Sequence, residues 1–128
     1  MKKIQIIIAL LAVSADAFAV SPCDSLMAMG SIKLHVANGD LLLDENRLYD
    51  AGIAYQNALK EAEDVFGLQS DVLIIPLGKL AVVLDEQGRT QEALSKVRRV
   101  ISIIEELYPN QKDLIQSWKN AEARLMNR

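Results

Sequence analysis

Shifted against itself by 42 residues, this chain matches like with like. Arg47 falls on Arg89, Asp50 on Glu92, Ala51 on Ala93, Leu59 on Ile101, Val65 on Leu107, Phe66 on Tyr108, and Gly39 on Ala81. The connectors keep the same offset: Gly67-Leu68-Gln69-Ser70-Asp71-Val72 answers Pro109-Asn110-Gln111-Lys112-Asp113-Leu114. An offset carried by elements and connectors together means that one supersecondary unit is used twice. Such a unit cannot bury its apolar face alone, so the copies must stack.

Within each copy the apolar residues recur at helical spacing. One stretch carries Leu48, Ala51, Tyr55, Ala58, Leu59, Ala62 and Val65; its partner carries Ala93, Val97, Val100, Ile101, Ile104 and Leu107. Each is preceded by a second helical stretch. Asp24 to Leu43 holds Leu26, Met29, Ile32, Val36 and Leu43, and Asp71 to Glu86 holds Leu77, Leu80, Ala81 and Leu84. Gly88 reads as a C-terminal stop and Thr90 as the N-cap that follows it; Ser70 and Asp71 open the second pair. Pro76 would break a helix begun at Asp71, so the expected start is nearer Ile75, with Pro76 in the first turn.

A last helix, about residues 113-127, carries Leu114, Ile115, Trp118, Ala121, Leu125 and Met126 and reads as a C-terminal cap. Trp118 is expected to pack against the stretch from Leu94 to Ile101. The fold class that follows is all-α, an antiparallel helix-turn-helix arrangement of about five helices. Repeat 1 spans about 29-67 and repeat 2 about 71-109.

The N-terminus has a different character. Met1-Lys2-Lys3 precedes an apolar run from Ile4 to Val13 broken only by Gln5, and Ala17 and Ala19 are small residues where a signal peptidase inspects the chain. Residues 1-19 are therefore expected to be a secretory signal peptide and 20-128 the mature helical domain, exported to the periplasm or secreted. The run is short of the roughly 20 residues that span a bilayer, so no stable membrane span is expected after cleavage. Without the leader the formal charge moves from -3 to -4, too acidic for a nucleic-acid binder. Cys23 is the one cysteine, so no disulfide within the chain can form, and a free thiol on a mobile end is the expectation.

Leu77, Leu80, Ala81, Leu84, Ala93 and Val97 together resemble the large, large, small, large, small, large pattern of the tetratricopeptide repeat family. The longer repeat, and the stretch from Leu80-Ala81 through Glu86-Gln87-Gly88-Arg89 to Glu92-Ala93, resemble its kinesin light chain branch. The first unit matches at Gly39, Leu42, Ala51, Tyr55 and Ala58 and departs at His35 and Asn38. The small residues Gly39, Ala51, Ala81 and Ala93 would let helices approach closely. Gly39, costing about 1 kcal/mol of helix propensity, implies tight packing or a local break there.

The resemblance implies a solenoid whose concave face, built from the first helix of each pair, docks a protein or peptide partner. The residues expected to line it are Lys33, Val36, Asp40, Ile75, Lys79, Val82, Asp85, Asn120 and Arg124. Where chaperone-binding members grip a C-terminal carboxylate with lysine and asparagine, this chain has Gly78 and Val82, which points to an apolar or mixed contact instead.

Chemistry has little to build on. His35 is the single histidine, with no nucleophile or carboxylate pair in a motif around it, and His35 and Cys23 alone make no metal site. No catalytic residue, cofactor or metal is expected, and Glu105-Glu106 and Arg98-Arg99 read as a solvated face. Three functions stay open: a scaffold or adaptor binding a protein, a self-assembling homodimer joined through the apolar edge of the first helix, and a small inhibitor of the immunity type.

Overall fold

A computed structural model of the protein describes residues 21–128. The expected signal peptide, residues 1-19, lies outside them. Five α-helices follow in order: α1 Pro22–Asp44, α2 Leu48–Phe66, α3 Ile74–Glu86, α4 Thr90–Leu107 and α5 Lys112–Met126. A single 3-10 turn, Asp71–Leu73, leads into α3, and no strand occurs among the described residues.

The helix ends follow from their residues. Ser21 caps α1, its Oγ accepting from the Asp24 backbone N–H at 3.1 Å, with Pro22 in the first turn where its missing N–H is not needed. Ser70 does the same for the 3-10 turn through Val72 N–H. Pro76 is the third residue of α3, still among the positions whose N–H has no partner within the helix. Thr90, expected as an N-cap, is instead the first helical residue of α4. Arg89 stands at the cap position and makes no capping bond from its side chain.

The two copies share their turn atom for atom. After α1 the Arg47 backbone N–H donates to Leu42 O at 2.8 Å and Asn46 N–H to Leu43 O at 2.9 Å; after α3, Arg89 N–H donates to Leu84 O at 2.8 Å and Gly88 N–H to Asp85 O at 3.0 Å. This is the Schellman pattern, which needs one residue with positive φ, here Asn46 at 61° and Gly88 at 78°. Past the turn, Arg47 pairs with Asp50 at 2.7 Å and Arg89 with Glu92 at 2.6 Å.

Side-chain contacts give the layering. Each helix packs chiefly on its neighbours in the chain. Gly39 and Asp40 meet Tyr55, while Ser31 and His35 meet Glu61, so α1 and α2 run antiparallel; Glu105–Lys119 and Arg98–Glu122 give the same sense for α4 and α5. Lys79 of α3 reaches Asp40 of α1, and Trp118 of α5 lies over Gly78 of α3, placing α1, α3 and α5 along one side. Arg99 of α4 reaches Glu63 of α2 at 3.0 Å on the other side. The pairs Arg98–Glu122, Arg99–Glu63 and Glu105–Lys119 therefore join helices, where a plain solvated face was expected; each stabilises by less than about 1 kcal/mol.

The core is continuous across the stack. Tyr55, Leu59, Leu73, Leu77, Ile103 and Ile104 are fully buried in one cluster; Ala81, Leu84, Ala93, Val97 and Ile101 form a second. Trp118 packs against both, so it reaches the cluster that holds Val97 and Ile101 of the expected Leu94-to-Ile101 stretch and also bridges the two clusters. Among the described residues no helix is long and apolar enough to cross a membrane. Cys23 is a free, exposed thiol within the first turn of α1.

Candidate interaction grooves

On the side formed by α1, α3 and α5 lie two grooves. The first, about 480 Å³, runs between α1 and the segment from Asp71 into α3. Met29, Ile32, Val36, Val72, Ile75 and Pro76 give it apolar walls; Lys33, Asp40 and Asp71 are its charged groups. Ile75 is 61% exposed at its edge, an apolar side chain left unspent by the core.

Asp40 is the electrostatic hinge of this groove. Tyr55 Oη donates to Asp40 Oδ1 at 2.5 Å, and Lys79 Nζ stands 2.9 Å from the same oxygen. Partial burial alone would raise the Asp40 carboxyl, but the hydrogen bonds from Tyr55 and Lys79 outweigh it and hold it below its ordinary value. For Tyr55, burial and then the Asp40 hydrogen bond push the phenol well above its ordinary range, so it keeps its proton. Lys79 is thereby committed to Asp40, whereas Lys33 makes no ion pair among the described residues. Asp71 accepts from the Tyr108 hydroxyl at 2.5 Å, which ties the groove's far lip to the end of α4.

Removing the Tyr55 hydroxyl tests this hinge. Tyr55→Phe keeps the buried ring and is expected to lower unfolding free energy by about 1 kcal/mol, below the range for a charged partner because Asp40 is 43% exposed. The folded Asp40 value lies below the unfolded one of about 3.9, so its stabilisation is complete above that pH and fades as pH falls through the folded value. Urea melts should show a constant deficit for the variant from about pH 5 to 8 that shrinks below about pH 4.

The second groove, about 270 Å³, lies between α3 and α5. Trp118 and Val82 line it, with Asp85 and Arg124 supplying charge. Arg128 Nη2 lies 2.8 Å from Asp85 Oδ2, while Asp85 Oδ1 is buried with no hydrogen-bond partner. Gly78 has a packing reason: a Cβ there would come within 2.8 Å of the Trp118 ring at Cη2. The residue that breaks the clamp pattern is thus the seat of the tryptophan.

Of the residues expected along this face, Lys33, Val36, Asp40 and Ile75 meet in the first groove, and Val82, Asp85 and Arg124 in the second. Lys79 lies between them on Asp40. Asn120 lines neither, and its Oδ1 accepts from Gln116 on the exposed side of α5. Sequence reasoning missed Met29, Ile32, Ala37, Asp71, Val72 and Pro76 in the first groove. Met29 and Ile32 were readable only as core residues of α1, Pro76 only as a helix-start signal of α3, and Asp71 and Val72 belong to a connector whose position periodicity does not give. His35 stands 3.8 Å from Glu61 Oε2, which also accepts from Ser31 Oγ at 2.8 Å. Among the described residues no cluster of three or more His, Cys, Asp or Glu is placed to hold a metal ion. No protein-family model matches the chain, and neither a curated protein nor a solved structure shows significant similarity to it.

Proposed function

We propose that this chain is an exported protein–protein interaction module, a scaffold or adaptor of the envelope or secreted space, with no catalytic role. Its short stack of helix pairs resembles tetratricopeptide repeats, and it holds a partner through the groove between α1 and α3. The observation that carries the reading is that groove: apolar walls, an exposed Ile75 and one uncommitted ammonium at Lys33. Such a surface suits a peptide or helix presenting apolar side chains beside a carboxylate, which would bury the first and meet Lys33 with the second. The apolar leader and the 42-residue repeat support export and a stacked architecture respectively.

Lys79, expected along this face, is bonded to Asp40, which makes Lys33 and Ile75 the informative positions. A photo-crosslinking residue at Ile75 is expected to capture a discrete protein in the native cell. Ile75→Asp and Lys33→Glu should each weaken binding of that purified partner, Ile75→Asp by tenfold or more, without changing the circular dichroism spectrum. Unchanged affinity in both variants would remove the groove from the binding reading.

A further inference from the structure

The outward face of α1 carries a stripe that none of the described residues covers. Met27, Gly30, Leu34, Ala37 and Leu41 follow one another at spacings of three, four, three and four, and all five are exposed, Met27 to 70%, Leu34 to 73% and Leu41 to 64%. The opposite side of α1 is buried on α2 through Ala28, Ile32 and Gly39, so the helix is apolar on two sides. The three-four spacing is that of a helix-pairing seam.

We propose that this seam pairs antiparallel with α1 of a second copy, forming a homodimer about a two-fold axis near the middle of the helix. The reason for a second copy is that the middle of the stripe, from Gly30 to Leu41, complements its own reverse, while Met27 at its end falls against Asp44. With the axis between His35 and Val36, Leu34 falls against Ala37 of the other chain and Leu41 against Gly30, each large residue over a small one. Gly30 is open, since a Cβ there would meet nothing within 4 Å. The same register brings Lys33 beside Asp40 of the second chain, twice by symmetry. Among the described residues Lys33 makes no ion pair, and Asp40 uses only Oδ1. A parallel pairing would lay glycine on glycine and bring Asp40 near Glu45, two like charges. A two-fold interface demands this kind of self-complementarity; contact with an unrelated protein does not.

The contact is small. The 23 residues of α1 span about 34 Å and a helix is about 10 Å wide, a planar footprint of roughly 340 Å². Counted on both chains, roughly 680 Å² falls below the roughly 1,000 Å² that a stable specific interface clears, so the dimer is weak and transient. The pairing shares Lys33 and Asp40 with the lip of the groove between α1 and α3, so a partner that meets Lys33 there and the second copy compete for that ammonium.

Sedimentation velocity of the purified chain in reductant, from about 1 to 500 μM, tests it. A monomer–dimer equilibrium is expected, with Leu34→Asp shifting its midpoint at least tenfold upward while the melting curve of the dilute monomer stays put. A spin label on Cys23, which is exposed and free, reports direction: the antiparallel register separates the two labels by about 38 Å along the helix, a parallel one by about 10 Å. A monomer at every concentration overturns the proposal, even if this face then binds vesicles or another protein. So does a dimer indifferent to Leu34→Asp, or a short label distance.

Discussion

Gly39→Leu is expected to lower the melting temperature by about 10 to 20 °C, the largest effect of any single change to α1. An ideal Cβ at this position would lie 2.5 Å from Tyr55 Cε1 and 2.7 Å from Cδ1. Real Cβ atoms do not come so close, so either the ring or the helix must move. The ring cannot move freely: it is fully buried, and its hydroxyl is held on Asp40. Leucine recovers about 1 kcal/mol of helix propensity, but overpacking at a fixed ring costs about 3 kcal/mol or more and so prevails. Gly52→Ala is the matched comparison. Its Cβ meets only Val83 Cγ1 at 3.6 Å, an ordinary contact, so the propensity gain of about 0.5 to 1 kcal/mol should stand and the melting temperature rise slightly. Thermal melts by circular dichroism decide both; an unmoved Gly39→Leu curve would mean that α1 does not lie on Tyr55 as described.

Trp118→Ala is expected to release α5 while leaving α1 to α4 folded. No residue of α5 is fully buried, and its hold on the stack comes from the partly buried Ile115, Trp118 and Leu125, with two ion pairs from the helix and a third from Arg128 just past it. Exposed ion pairs contribute little, so the tryptophan dominates. Full truncation of a buried tryptophan costs about 3 to 5 kcal/mol; a half-buried one should cost about 2, enough to open a terminal helix. Amide hydrogen exchange would show protection lost across residues 112–126 and retained in α2 and α4. Uniform loss instead would mean that α5 is integral to the cooperative unit, and unchanged exchange would mean that Trp118 does not anchor it.

Most of the helical scheme was legible because its signals are local. The 3.6-residue periodicity of the buried faces, Gly88 as a stop, and Pro76 allowed only in a first turn all act within a few residues of where they stand. Thr90 misled because a threonine after a glycine is an ordinary capping signal, yet the repeat places Arg89 there, answering Arg47, with its side chain turned to Glu92. The exposed charges misled for another reason. Arg98, Arg99 and Glu105 look solvated on one helix, and only the neighbouring helices reveal Glu122, Glu63 and Lys119 opposite them.

The sequence alone determined an all-α chain of about five helices, built from a unit used twice, with Gly39 needed where a helix comes close. Periodicity, caps and a repeat offset are properties of the chain read along itself. Which side chains meet was decided by the tertiary structure: Asp40 between Tyr55 and Lys79, Trp118 on Gly78, and the seam of Met27, Leu34 and Leu41 left uncovered. Those contacts depend on how far one helix slides and turns against the next. A shift of one residue turns a helix by about 100°, enough to exchange a buried face for an open one.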